Sequence, residues 1–345
     1  MVETARFEMG DMRLKSGETL HDAVLSYETH GTLSPAGDNA IVLPTFYGGR
    51  SPDYRAMIGP GRALDPGRWF IVVPDMFGNG LSSSPSTQPA PWDGPNFPRI
   101  THWDNVAAQH RLVTEVLGVR RVALVAGFSM GGQQANQWAA QFPDMVARCA
   151  PWCGGARTTG HTWAFLEGPK AALRADAAFA GGWYDSPPRR GLRAFGRVWA
   201  AWGTSTGFYR DRLYESLGQS SAADHVTGFW EGNFLSFDAN DLLAKLDTWQ
   251  SADISDNPLY RGDYAAACAA IRARTLLMPG ATDQYFPVED NRIQAERMTA
   301  PVELRPIPSD WGHIAGAPGL NGPDMAFLDA ALSELLSAPD PAATA

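Results

Sequence analysis

The stretch Val122-Ala-Leu-Val-Ala-Gly-Phe-Ser-Met-Gly-Gly-Gln-Gln-Ala-Asn-Gln-Trp-Ala-Ala-Gln-Phe142 constrains the fold more than any other part of the sequence. Val122 to Ala126 is a short apolar run of the kind that forms a strand buried on both faces. The chain then turns through Gly127-Phe128-Ser129-Met130-Gly131-Gly132, and Gln133 to Gln141 reads as a helix that stops before Pro143. Strand, Gly-x-Ser-x-Gly and helix in that order make a nucleophile elbow. So tight a turn holds Ser129 at strained dihedrals, and side chains two residues to either side would clash, hence Gly127 and Gly131. It also presents the hydroxyl at the carboxyl end of the strand, beside a helix N-terminus that favours developing negative charge.

Strand and helix patterns alternate around the elbow. Ala40 to Leu43 is a buried strand that empties into Pro44-Thr-Phe-Tyr-Gly-Gly49, and Trp69 to Val73 is the next strand. Asp104 to Leu117 carries an apolar stripe at Val106, Leu112, Val113, Val116 and Leu117, the spacing of a helix packed on a sheet. Alternation from Ala40 to Phe142 implies a parallel sheet with right-handed crossovers. Earlier, Phe7-Glu-Met9 and Met12-Arg-Leu14 flank Gly10-Asp11 and suggest a hairpin turn there, followed by a strand over Ala23 to Thr29. From Gly155 to about Leu259 the alternation lapses into helical and aromatic patches. This reads as a helical lid over residues 155–259, inserted into a core formed by residues 1–154 and 260–345. The sheet resumes at Thr275 to Met278 and Val302 to Pro306, and a terminal helix over Gly322 to Leu336 closes it.

Composition narrows the function classes. The net charge of −9 argues against a nucleic-acid partner or an anionic membrane surface. Hydrophobic content of 44% and charged content of 19% suit a globular domain. Cys149, Cys153 and Cys268 are odd in number for a disulfide framework and have no clustered partners for zinc. They read as small buried hydrophobes. Met1 to Arg6 has no apolar signal core and no run is long enough to span a bilayer, which makes the cytoplasm the expected compartment.

The chemistry gathers on three residues. The apolar strand before Asp283 ends in a Gly-x-x-Asp turn, and His313 follows the last strand in Trp311-Gly-His, where Gly312 permits close backbone approach. Ser129, Asp283 and His313 thus occur in the chain order expected of a triad on this fold. A serine hydroxyl is almost wholly protonated at neutral pH and is a weak nucleophile. His313 is positioned in this reading to take its proton and return it to the leaving oxygen, with Asp283 fixing the imidazole tautomer. The backbone N–H groups of Phe46 and Met130 are assigned as the oxyanion hole. Asp75 and Asp310 are rival carboxylates, Asp75 better read as a turn former and Asp310 as a capping or solvated residue, and the six other histidines suit core or surface roles. No metal or organic cofactor is needed.

The chain resembles the homoserine O-acetyltransferase family of α/β-hydrolases. Tyr27-Glu-Thr-His-Gly-Thr-Leu33, the elbow with Gln134-Ala135 and Trp138, Ala156-Arg157, Phe237-Asp-Ala-Asn240, Asp283-Gln-Tyr-Phe-Pro287 and Gly312-His313 carry the likeness. The resemblance implies an α/β-hydrolase fold with a mostly parallel sheet and inserted helical lid, and a homodimer through that lid. One departure decides the function. Transferases of the family usually follow the histidine with an aspartate that holds the amino group of homoserine, whereas Ile314 stands here. An ammonium buried without a partner costs on the order of several kcal/mol. Neither Arg193 nor Arg197 falls in register with the family's carboxylate-binding lid arginine. Phe46-Tyr47 makes the oxyanion loop bulkier than usual, which puts Tyr47 among the substrate contacts. Trp311 to Gly316 resembles the branch that hydrolyses simple esters, including short alkyl acetates. The expectation is a hydrolase of small carboxylic esters working through an acyl-enzyme on Ser129. The alternative is an acyltransferase moving acetyl from acetyl-CoA to homoserine or another alcohol.

Overall fold

A computed structural model describes residues 2–339, so Met1 and the last residues of the expected core lie outside the described part. Its strands are β1 (Val2–Arg13), β2 (Thr19–His30), β3 (Ala40–Val42), β4 (Phe70–Pro74), β5 (Val122–Phe128), β6 (Arg148–Trp152), β7 (Arg274–Leu277) and β8 (Val302–Leu304). They form an eight-stranded sheet in the order β1-β2-β4-β3-β5-β6-β7-β8. From β4 through β8 in that order every pairing is parallel, and only β1–β2 and β2–β4 are antiparallel.

Every residue of β3, β4, β5 and β6 is buried, as the unbroken apolar runs of β3, β4 and β5 require; β6 adds a buried Arg148 at its start. Alternate side chains divide between two cores. Ile41, Ile71, Val73 and Leu124 face one, whereas Ala40, Val42, Phe70, Val72 and Val122 face the other. Helix α1 (His102–Arg111) starts on a capping box in which Thr101 and Asp104 exchange hydrogen bonds, and its chain continues as a wider turn to Val116. Helix α2 (Met130–Gln141) packs with α1 and the sheet.

The first hairpin departs from expectation. β1 runs unbroken to Arg13, and Gly10, at φ +64°, is a bulge with register shifts on both sides instead of the turn. Reversal occurs at Lys15–Gly17, where Gly17 donates its N–H to Leu14. A glycine followed by an aspartate suits either a turn or a bulge, because both use positive φ.

The segment between β6 and β7 is helical, with α3 (Gly160–Arg174), α4 (Arg189–Trp202) and a helix over Ala239–Gln250 among shorter turns. Its two ends lie side by side. Thr158 N–H donates to Ala252 O at 2.8 Å, Ile254 N–H donates to Ala156 O at 3.0 Å, and Arg157 bridges Asp253 in antiparallel sense. Aromatic side chains of this segment, among them Phe195, Trp199, Phe234 and Trp249, join the core that also holds the elbow. No helix among the described residues is long and apolar enough to cross a membrane.

Candidate active site

Ser129 stands between β5 and α2 with φ 56° and ψ −121°, a conformation that L-residues rarely adopt and that the surrounding packing must hold. The flanking glycines are compulsory. A Cβ on Gly127 would lie 2.5 Å from the Gly131 carbonyl carbon, and one on Gly131 would lie 2.4 Å from the Pro44 carbonyl oxygen. The elbow is thus wedged against the end of β3. Tyr54, a fully buried residue, pins the two together. Its hydroxyl accepts the Phe128 N–H at 2.9 Å and donates to Pro44 O at 3.1 Å. Burial pushes that phenol well above its ordinary range, so it stays a donor.

The three distant side chains meet at the carboxyl edge of the parallel sheet, where open α/β sheets place their chemistry. His313 Nε2 lies 2.8 Å from Ser129 Oγ, and His313 Nδ1 lies 2.8 Å from Asp283 Oδ2. The other carboxylate oxygen, Oδ1, accepts the N–H groups of Tyr285 at 2.8 Å and Phe286 at 3.2 Å, which fixes its plane. All three residues are buried. With Nδ1–H donated to a carboxylate, Nε2 is the nitrogen free to accept from the serine. Gly312, at φ +65°, lets this loop press on the helical segment, since a Cβ there would lie 2.6 Å from the Thr204 carbonyl carbon.

The rival carboxylates take no part in the Ser129–His313–Asp283 hydrogen-bond chain. Asp75 is buried and accepts from the Ser51 N–H, the Ser51 hydroxyl and Asn79. Asp310 is exposed, and its backbone carbonyl accepts from Ser205.

The expected oxyanion donors belong to the residue after the serine and to the loop after β3. Met130 is the first residue of α2, where the N–H has no intrahelical acceptor. Phe46 follows β3 in the loop wedged against the elbow, and its ring meets Phe128 edge-on at 5.0 Å. Tyr47 is buried, stacked on Trp199 at 5.2 Å, and its hydroxyl donates to Leu242 O at 3.0 Å. It therefore offers the cavity its ring and keeps its hydroxyl for the helical segment.

Ser129 and His313 open into a cavity of about 630 Å³ whose walls include Phe46, Tyr47, Trp199, Phe229, Phe234 and Trp249. Ile314, the residue after the histidine, also faces it. Among the described residues no lysine or arginine lines this cavity, and the only carboxylate lining it is Asp53, an exposed residue whose Oδ2 accepts the Arg50 N–H at 2.7 Å. Arg193 and Arg197 are more than half exposed and pair with Glu231. Among the described residues, no group of His, Cys, Asp or Glu is arranged to hold a metal ion.

A strained serine on a strand-to-helix turn, joined through histidine to aspartate at one sheet edge, defines an α/β-hydrolase. The chain belongs to that family, and the alpha/beta hydrolase fold matches residues 41–317. Its relatives include the ethyl acetate hydrolase of Pseudomonas veronii, 39% identical over 337 residues that cover 96% of this chain and 95% of that one. The solved acetyl esterase MekB superposes with a TM-score of 0.94 at 37% identity, covering 97% of each chain. A homoserine O-acetyltransferase of Leifsonia xyli is 32% identical, covering 88% of this chain and 83% of its own. The esterases thus stand nearer in sequence than this transferase.

Proposed function

We propose that this protein hydrolyses small, uncharged carboxylic esters, with short acyl groups such as acetate, through an acyl-enzyme on Ser129. The observation that carries the reading is the unbroken Asp283–His313–Ser129 hydrogen-bond chain opening onto aromatic walls that hold, among the described residues, no lysine or arginine. Ser129 Oγ attacks the ester carbonyl carbon while His313 Nε2 takes its proton, and Asp283 stabilises the imidazolium that forms. The carbonyl oxygen, now an oxyanion, receives the Phe46 and Met130 N–H groups, each worth about 3 kcal/mol of barrier by comparison with measured donors. Collapse expels the alcohol, which takes the proton from His313. Water then attacks the acyl-enzyme with His313 as base and restores the serine.

Residues 155–259 serve in this reading as a lid on a core made of 1–154 and 260–345, with Tyr47 contributing its ring to the substrate wall. The cytoplasm is its expected compartment and a homodimer through the lid its expected assembly.

The alternative acyltransferase shares every step up to the acyl-enzyme and differs in the nucleophile that resolves it. An amino-acid acceptor would bring an ammonium and a carboxylate. Among the described residues the cavity walls offer the carboxylate no lysine or arginine, and the one lining carboxylate, Asp53, is exposed and accepts the Arg50 N–H. Purified protein is assayed with an aryl acetate, with and without homoserine, and with acetyl-CoA in parallel. Ester hydrolysis indifferent to homoserine is expected. Thiol release from acetyl-CoA only when homoserine is present would overturn the reading in favour of acyl transfer.

A further inference from the structure

A chain of three buried side chains runs behind the elbow and ends on the oxyanion loop. Trp138 Nε1–H donates to Gln109 Oε1 at 2.8 Å, Gln109 Nε2–H donates to Gln134 Oε1 at 2.7 Å, and Gln134 Nε2–H donates to Thr45 O at 2.9 Å. Trp138, Gln109 and Gln134 have no solvent exposure. The direction of the chain is fixed chemically. An indole nitrogen only donates, so the oxygen of Gln109 must face Trp138 and its amide must face Gln134. Gln134 is then obliged to present its NH2 group to Thr45. The same NH2 group reaches Met130 O at 3.2 Å.

The Thr45 carbonyl belongs to the same planar peptide unit as the Phe46 N–H, and in a trans peptide the two point in opposite directions. Holding that oxygen against the Gln134 amide therefore turns the N–H to the opposite side of the peptide, away from that amide. Thr45 is held at two further points, its N–H donating to Pro74 O at 3.2 Å and its Oγ1 accepting from Met76 N–H at 2.8 Å. These fix the residue, and the Gln134 bond fixes the rotation of the peptide that follows it.

We propose that Gln134 is a positioning residue of the oxyanion hole, orienting the Thr45–Phe46 peptide so that the Phe46 N–H meets the developing oxyanion, with Gln109 and Trp138 setting the orientation of its amide. The proposal rests on the acyl-enzyme reading above and on Phe46 as a donor. Its benefit falls on the tetrahedral state, because a neutral ester carbonyl gains much less from a correctly aimed N–H than an oxyanion does.

The test compares wild type with Gln134→Met, Gln134→Glu and Gln109→Met. It reads kcat and KM on an aryl acetate, inhibition by a trifluoromethyl ketone that forms a tetrahedral serine adduct, and thermal stability. Gln134→Met is expected to lower kcat by about 10- to 100-fold with KM within about twofold, and to weaken the ketone by the same factor as kcat/KM. Gln134→Glu keeps one O–H donor while its carboxyl is protonated. Its activity relative to wild type is expected to exceed that of Gln134→Met and to fall as pH rises through the titration of that carboxyl. Gln109→Met, which frees the Gln134 amide to turn, is expected to shift kcat and ketone affinity in the same direction by a smaller factor and supplies the test if Gln134→Met does not fold. Loss of stability with kcat and ketone affinity unchanged overturns the proposal and leaves Gln134 a structural group. A wild-type enzyme indifferent to the ketone, or a Ser129→Ala variant with full activity, overturns the acyl-enzyme reading instead.

Discussion

Lys245 meets Tyr47 twice, its ammonium donating to the Tyr47 carbonyl at 2.7 Å and standing 5.2 Å from the centre of the Tyr47 ring. Tyr47 answers with its hydroxyl, which donates to Leu242 O at 3.0 Å on the same helix, Ala239–Gln250. The loop carrying Phe46 is thereby fastened to the helical segment. Burial pushes the Lys245 ammonium down to about 8, with Asp241 opposing. Lys245→Met is expected to lower kcat by about three- to tenfold as the loop loosens, measured on an aryl acetate. A second signature is thermodynamic. The folded-state value lies below the unfolded one, so between about pH 8 and pH 10.5 the unfolded chain binds more protons and the lysine's penalty disappears as pH rises. Melting curves are expected to move in favour of wild type relative to Lys245→Met across that window.

Ile314 faces the cavity directly after His313 and is the position at which the resembling transferases usually carry an aspartate. Ile314→Asp would put a poorly solvated carboxylate beside the imidazole and favour its protonated form. The expected result is a fall in kcat/KM for neutral esters of about tenfold or more, with the acid limb of the pH profile moved to higher pH. Homoserine-dependent thiol release from acetyl-CoA is not expected to appear, because among the described residues no lysine or arginine lines the cavity to receive the amino acid's carboxylate.

Gly131→Ala tests the wedge between the elbow and β3. The added methyl would meet the Pro44 carbonyl oxygen at 2.4 Å, a backbone atom that cannot rotate aside. Destabilisation of about 2 kcal/mol or more is expected from chemical denaturation, with activity lost by a larger factor than folded fraction as the loop after β3 is displaced.

His102 predicts an acid limb of stability. It is buried, its Nε2 lies 3.2 Å from Gln133 Oε1, and burial pulls it down to about 4. Because the folded value lies below the unfolded one of 6.5, the unfolded chain binds the extra proton as pH falls. The stability this histidine supports is complete above about pH 6.5 and is lost towards pH 4, by up to about 3 kcal/mol. His102→Gln is expected to flatten the melting temperature over that interval; an unchanged slope would assign the acid limb to other groups.

The sequence was most readable where one residue type has one physical use. A continuous apolar run before Gly127-x-Ser-x-Gly131 leaves little besides a buried strand and a tight elbow, and the order of Ser129, Asp283 and His313 follows from the strands that carry them. Gly10 was harder because positive φ serves turn and bulge alike. Tyr54, Gln109, Gln134 and Lys245 gave no local sign of their roles, since each acts on a backbone or amide group brought near by the fold. Buried amides are the one available clue: Gln109 and Gln134 sit on helix faces that pack inward, where polar side chains need partners. Glu28 of the Tyr-Glu-Thr motif is buried and gripped by Arg55 through Nε at 2.9 Å and Nη2 at 2.8 Å.

The adjoining strands of chain at Ala156–Thr158 and Ala252–Ile254 have an architectural consequence. Whatever hangs between them enters and leaves through a single narrow stem, so its length and shape can change without disturbing strand order below. A chimaera that exchanges residues 159–251 for the equivalent piece of a relative is expected to keep the strand order, provided that the new piece again supplies a cation for the Tyr47 carbonyl, an acceptor for its hydroxyl and a close fit against Gly312.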